Sequence, residues 1–125
     1  MVIQESAENY LEAILMLKLR NGEVHSIDIA AELGFSKPSV SVAMKNFRNN
    51  GYITMDHHGH IELTAAGLEI AERVYERHKL LTAMLIELGV SEKTAAEDAC
   101  KIEHDLSEET FEKIREHATK TAENV

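Results

Sequence analysis

Apolar residues recur at helical spacing through the first part of the chain. Between residues 4 and 20, Tyr10, Leu11, Ile14, Leu15, Leu17 and Leu19 form a broad stripe, interspersed with Asn9, Glu12 and Lys18. That pattern predicts an amphipathic helix, and Asn21-Gly22 stops it. Ser26 is placed to cap a short second helix through Ile27, Ile29, Ala30 and Leu33, with Asp28 favourable in its first turn and Gly34 at its end. Ser36 caps a third helix. Its first turn tolerates Pro38, because the N–H that proline lacks has no helical partner there. Val40, Met44 and Phe47 mark the inward face, and Asn49-Asn50-Gly51 ends it. The period then shortens. Tyr52–Met55 and His60–Leu63 flank Asp56-His57-His58-Gly59, which predicts a β-hairpin. Thr64 can cap a long helix from about Ala65 to Leu88, closed by Gly89. Ser91 opens another helix to about Asp105, and Ser107 a last one. Helix, helix, helix, hairpin and three further helices predict a mainly α fold. A winged helix-turn-helix occupies residues 1–64 and a helical domain residues 65–125.

With 125 residues and 44% hydrophobic composition, the chain can bury a core as one domain or two small ones. Its single cysteine, Cys100, excludes an internal disulfide framework and suits a reducing compartment. No apolar run reaches ~18 residues, so no membrane span is expected. The N-terminus lacks a secretory pattern, so a cytoplasmic location is expected.

The net charge of −9 argues against a protein that coats nucleic acid. Its distribution is less simple. Residues 1–64 hold 5 Lys and Arg against 8 Asp and Glu, net −3; residues 65–125 hold 8 against 14, net −6. Residues 33–55 contain no acidic residue and carry Lys37, Lys45 and Arg48, net +3. This basic island falls on the helix that a helix-turn-helix places in the major groove. Ser36, Ser39 and Ser41 can approach phosphates or base edges, a helix start favours phosphate, and Val42 can pack on a thymine methyl. From the hairpin tip His57, His58 and His60 can reach phosphate or the minor groove. The plainer reading leaves the hydroxyls as caps and solvated surface. Three histidines in four positions also admit a metal site, although their spacing on a turn follows no strong template.

A second cluster lies near the end. On a helix, Cys100, Glu103 and His104 stand at i, i+3 and i+4 and share one face. Thiolate, carboxylate and imidazole together suit a first-row divalent metal. Asn9 and Glu12, also three apart, and His78 are further donors. The bland alternative is a buried structural cysteine beside a solvated pair. As an enzyme, Cys100 and His104 would have to act as nucleophile and base. They lack an orienting third group and an oxyanion site, so no enzymatic activity is expected.

The chain resembles the diphtheria toxin repressor family of iron- and manganese-dependent repressors. The resemblance rests on Asn9-Tyr10-Leu11-Glu12-Ala13-Ile14, Ile29-Ala30-Ala31-Glu32-Leu33, Ser36-Lys37-Pro38-Ser39-Val40-Ser41, Leu63-Thr64-Ala65-Ala66-Gly67, Arg77-His78-Lys79-Leu80-Leu81 and Ala99–Ser107. It covers the chain to about residue 115. It implies a winged-helix DNA-binding domain, a helical dimerisation domain sharing the metal site, and a homodimer that binds a palindromic double-stranded operator when loaded with Fe(II) or Mn(II). Cys100, Glu103, His104, His78 and Glu12 match family ligand positions. Ser36, Pro38 and Ser39 match the DNA-contacting start of the recognition helix. Ile102, Leu106, Phe111 and Ile114 are apolar positions expected at the symmetric contact.

Several positions depart from the family pattern. Asn9 stands where the family usually has Met or Asp. Thr82 and Ala96 stand where iron-type members supply Glu and His to a second site; Glu97 and Asp98 are weak substitutes. Val42 replaces a polar DNA-contacting residue, and the chain stops before the SH3-like domain of longer members. Manganese-type members have Glu where this chain has Cys100. A thiolate favours Fe(II), with Co(II), Ni(II) or Zn(II) possible in vitro, over Mn(II), the alternative metal. The rival reading is a winged-helix regulator that responds to a small organic ligand or a partner protein, with Cys100, Glu103 and His104 structural.

Overall fold

The computed structural model describes residues 5–123, with side chains described for residues 7–118. The fold is mainly α. Helices α1 (Glu5–Asn21), α2 (Ser26–Leu33) and α3 (Lys37–Asn49) precede strands β1 (Ile53–Met55) and β2 (Ile61–Leu63). Helices α4 (Ala65–Glu87), α5 (Glu92–Ile102) and α6 (Glu108–Glu123) follow. The start expected at residue 4 lies outside the described residues. The chain divides into two compact units, one ending at Arg73 and the other beginning at Val74, so the division falls inside α4. No helix among the described residues is long and apolar enough to cross a membrane.

In the first unit, the inward stripe of α1 is buried at Leu11, Ile14, Leu15 and Leu17, with Ile29 of α2 and Val40, Met44 and Phe47 of α3. Each such side chain contributes roughly 1.5–3 kcal/mol of transfer free energy. Leu19 and Ile27 depart from the expected stripe and are 65% and 56% exposed. Leu19 sits in the last turn of α1, beside Lys18 and Arg20, which are also exposed. Ile27 is in the first turn of α2, two positions before Ile29 and so on another face.

Local signals set most of the boundaries. Ser36 Oγ accepts from Ser39 N at 3.3 Å, and Pro38 lies in the first turn as expected. Thr64 Oγ1 accepts from Gly67 N at 3.2 Å and opens α4. Ser107 Oγ accepts from Thr110 N at 3.1 Å and opens α6. The cap of α2 is His25 rather than Ser26. Asp28 reaches back to the His25 backbone N–H at 2.9 Å, and this bond fixes the start one residue earlier. Ser91 precedes α5, but its side chain makes no capping bond. Helix α5 ends at Ile102, short of the expected Asp105, because the chain turns at residues 103–105.

The hairpin pairs antiparallel, Ile53 with Leu63 and Met55 with Ile61. Ile61 N also donates to Val24 O at 2.8 Å, which fastens the α1–α2 loop to the wing. Four rings run through the unit: Tyr10 lies 5.5 Å from Phe35 and 5.8 Å from Phe47, and Phe47 lies 6.4 Å from Tyr52. They pack α1, the α2–α3 turn, α3 and the residue before β1 into one body.

In the second unit Leu81, Ala95, Ala99 and Phe111 are buried. Phe111 was expected at a symmetric contact. Instead it is covered within its own unit, with the Arg77 and Arg115 guanidinium carbons each 5.0 Å from its ring centroid. Ile102, Leu106 and Ile114 stay half-buried.

Gly67 is buried in the first turn of α4, and a Cβ there would collide with the Tyr52 carbonyl oxygen. That oxygen accepts from Thr64 N at 3.0 Å, a bond that moving it away would strain. Gly67→Ala is expected to destabilise the winged unit by about 1–3 kcal/mol. Urea unfolding measures this, and an unchanged midpoint would contradict the close approach.

Candidate metal centre and nucleic-acid interface

The candidate metal centre is built around a carboxylate placed where α5 ends. Glu103 N still donates to Ala99 O at 2.9 Å, with φ −58 and ψ −27, so the helical path continues one residue beyond Ile102. The i, i+3, i+4 spacing therefore survives: one donor atom each from Cys100, Glu103 and His104 lies within 4.8 Å of the others. The Glu103 side chain is fully buried, and that of His104 is 1% exposed. His78, on α4, brings Nδ1 to 3.0 Å from Glu103 Oε2, and His104 Nε2 stands 3.3 Å from Oε1. Each carboxylate oxygen thus faces an imidazole.

Burial alone pushes the Glu103 carboxyl up. The His104 ring beside Oε1 and the His78 ring hydrogen-bonded to Oε2 outweigh it and hold the group below the ordinary carboxylate range; Oε1 is left without a hydrogen bond, a buried acceptor a cation would satisfy. The carboxylate form is the stable one inside this unit. Two imidazoles, a thiol and an ionised, dehydrated carboxylate make a donor set of mixed softness that fits a first-row transition metal.

Arg77, adjacent to His78, was read from sequence only as part of a motif. Its Nη1 donates to Glu103 O at 3.2 Å and to Leu106 O at 3.1 Å. A helix end leaves carbonyls without partners and a partial negative charge, and Arg77 meets both needs. In the first unit, Glu12 is a buried carboxylate and Asn9 a half-buried amide, both on α1. Thr82 and Ala96 are half-buried, Glu97 is exposed, and Asp98 is half-buried.

The DNA-reading candidates lie on the outer face of α3. Ser36, Lys37, Pro38, Ser39, Ser41, Lys45 and Arg48 are exposed, and Val42 is 61% exposed, while Val40, Met44 and Phe47 face inward. Ser36 Oγ donates to Ser39 Oγ at 2.8 Å, so these two hydroxyls form a pair at the helix start. His57 and His58 are exposed at the wing tip with ring centroids 3.9 Å apart; His60 is half-buried at its base.

Two sequence models match almost end to end. One, described as the N-terminal DNA-binding domain of iron-dependent repressors, covers residues 3–61. The other, the metal-binding and dimerisation domain of iron-dependent repressors, covers residues 64–124. An uncharacterised HTH-type transcriptional regulator of Methanocaldococcus jannaschii is 36% identical over 115 residues, 90% of this chain and 92% of that protein. The transcriptional regulator MntR of Escherichia coli is 38% identical over 112 residues, 90% of this chain and 72% of MntR. Among solved structures, T. acidophilum IdeR matches with a TM-score of 0.81 at 26% identity, over 90% of this chain and 53% of IdeR. The manganese regulator SloR matches with a TM-score of 0.78 at 25% identity, over 95% of this chain and 55% of SloR. The chain spans about half the length of these two solved proteins.

A carboxyl held below its ordinary range stabilises the fold above that range and loses the contribution as pH falls through the lowered value. Without metal, the helical unit is expected to lose stability in acid, below the ordinary carboxylate range. In Glu103→Gln this component is expected to be absent. Urea midpoints followed against pH for both chains test it; parallel profiles would refute the role assigned to the two imidazoles.

Proposed function

The chain belongs to the iron-dependent repressor family, and from that premise we propose that it is a homodimeric repressor that binds operator DNA when loaded with a divalent cation. The observation that carries this reading is Glu103, a buried carboxylate with an imidazole on each oxygen and Cys100 beside it. A purely structural buried carboxylate needs partners but has no need of a thiol as well.

Cys100, Glu103, His104 and His78 are the proposed ligands. Glu12 and Asn9 are the donors that the family pattern adds from α1. A bound divalent cation would supply the positive charge toward which these groups converge. Exchanging the hydrogen bonds of Glu103 for coordination requires the ring nitrogens and the thiol to give up their protons, so affinity falls with acidity. The Cys100 thiolate favours Fe(II) over Mn(II), and in vitro it admits Co(II), Ni(II) or Zn(II).

On the DNA side, Lys37, Lys45 and Arg48 are assigned to phosphates. Ser36, Ser39 and Ser41 serve close polar contacts, Val42 a thymine methyl, and His57 and His58 the backbone beside the wing. Operator DNA places the working protein in the cytoplasm. Residues 1–64 are the DNA-binding part and residues 65–125 the part that binds metal and dimerises. The MntR and IdeR likenesses support this over a response to an organic ligand.

Two measurements test the proposal. In gel shifts the chain is expected to bind operator with Fe(II) and to lose binding after chelation. Cys100→Ala is expected to need about 10- to 100-fold more metal, and equal operator binding in the chelated or Cys100→Ala protein would sink the switch. Separately, Lys45→Ala is expected to reduce the slope of log affinity against log salt by about 1, weakening all DNA sequences alike. An unchanged slope would remove Lys45 from the phosphate contacts.

A further inference from the structure

We propose that α3 reads bases with its uncharged outer residues, and that Val42 and Asn46 select a thymine and an adenine, so that each half of the operator presents A·T pairs beneath this helix. This rests on the chain being an operator-binding repressor, and it names the base pairs that the operator offers.

Helix geometry divides the exposed face of α3 lengthwise. Lys37, Ser41, Lys45 and Arg48 stand at i, i+4, i+8 and i+11 and form one row. Ser39, Val42, Asn46 and Asn49, at i, i+3, i+7 and i+10, form another, and the residues of both rows are exposed. With about 100° of rotation per residue, the uncharged row points about 145° away from the buried direction of Val40, Met44 and Phe47, and the basic row about 90° away. The uncharged row is therefore the ridge that projects farthest from the body, and the basic row lies along its flank. In a major groove about 12 Å wide, a ridge so placed lies over the base edges while its flank meets the phosphates of one wall.

The side chains of the uncharged row suit one kind of base pair. Val42 is apolar and β-branched, yet 61% exposed in the middle of the helix; over base edges, its complement is the thymine methyl. The Asn46 amide offers a donor and an acceptor side by side, which match the N7 acceptor and the N6 amino group of adenine. Guanine presents two acceptors there, and the row holds no arginine or lysine to meet both. Cytosine presents a donor, and residues 33–55 hold no Asp or Glu to accept it. Four positions separate Val42 from Asn46, about 6 Å along the helix axis, which is under two base-pair steps of ~3.4 Å each. Asn50 is outside the set, because its Nδ2 donates to Asn46 O at 2.8 Å where the helix ends. That bond uses the main-chain oxygen of Asn46 and not its side-chain amide.

The probe is a pool of random duplexes of about 24 base pairs, long enough for two half-sites about one helical turn apart. It is offered to the full chain with Fe(II) in the absence of oxygen. Selected sequences are expected to carry A·T pairs within each half-site. N46A and V42A are each expected to relax the preference at one such pair, by about 5- to 150-fold for the adenine contact. K45A is expected to weaken binding and leave the selected sequence unchanged. Base analogues test the same contacts without altering the protein. In the best duplex, 7-deazaadenine, which lacks the N7 acceptor, is expected to weaken the natural chain and not N46A. Uracil in place of thymine is expected to cost the natural chain about fourfold, the worth of one buried methyl, and V42A nothing. Selection left unchanged by both N46A and V42A, or G·C pairs at the positions that respond to them, would overturn the assignment while leaving the repressor intact. Binding of no duplex with Fe(II) present would end both.

Discussion

The constraint on which the helical unit turns is a negative charge that has lost its water. A buried carboxylate is costly unless its oxygens are met: His78 meets Oε2 of Glu103, while Oε1 has the His104 ring 3.3 Å away but no hydrogen bond. Those contacts reach from α5 to α4 through His78 and along the chain to His104. The same groups offer the donor atoms of the proposed metal centre. Nothing has to be assembled from exposed surface, because folding has already dehydrated and aimed them. Arg77 completes the arrangement by donating to Glu103 O at the end of α5 and to Leu106 O in the connection after it, so the turn carrying His104 is held from outside the donor set.

Much of this was legible in the sequence. The helix order and hairpin followed from periodicity and glycine punctuation, and Ser36, Thr64 and Ser107 cap where hydroxyls before apolar runs should. The i, i+3, i+4 spacing placed Cys100, Glu103 and His104 on one face even though α5 stops at Ile102, because Glu103 retains helical torsions. What escaped was long-range. That Phe111 lies under two guanidinium groups, and so is withdrawn from any partner, depends on α4 meeting α6. The clamp made by Arg77 spans 26 and 29 residues, and no local pattern announces it.

Charge follows the division of labour. The outer face of α3 has lysines, an arginine and small hydroxyls around an exposed Val42, within an acidic protein. A polyanion would be attracted there and repelled elsewhere, which fits the low non-specific affinity expected of the proposed reading face.

The rings of Tyr10, Phe35, Phe47 and Tyr52 have a mechanical consequence. Tyr10 links α1, the helix bearing Asn9 and Glu12, to the α2–α3 turn through Phe35 and to α3 through Phe47, so a tilt of α1 is passed on to α3. Seventeen residues make α1 a rod about 25 Å long. A tilt of about 5° moves the far end of such a rod by about 2 Å, a large part of a hydrogen bond's length of ~2.9 Å. Stiffness thus turns the winged unit into a lever, in which a displacement too small to disturb packing is still large enough to pull a side chain off a phosphate.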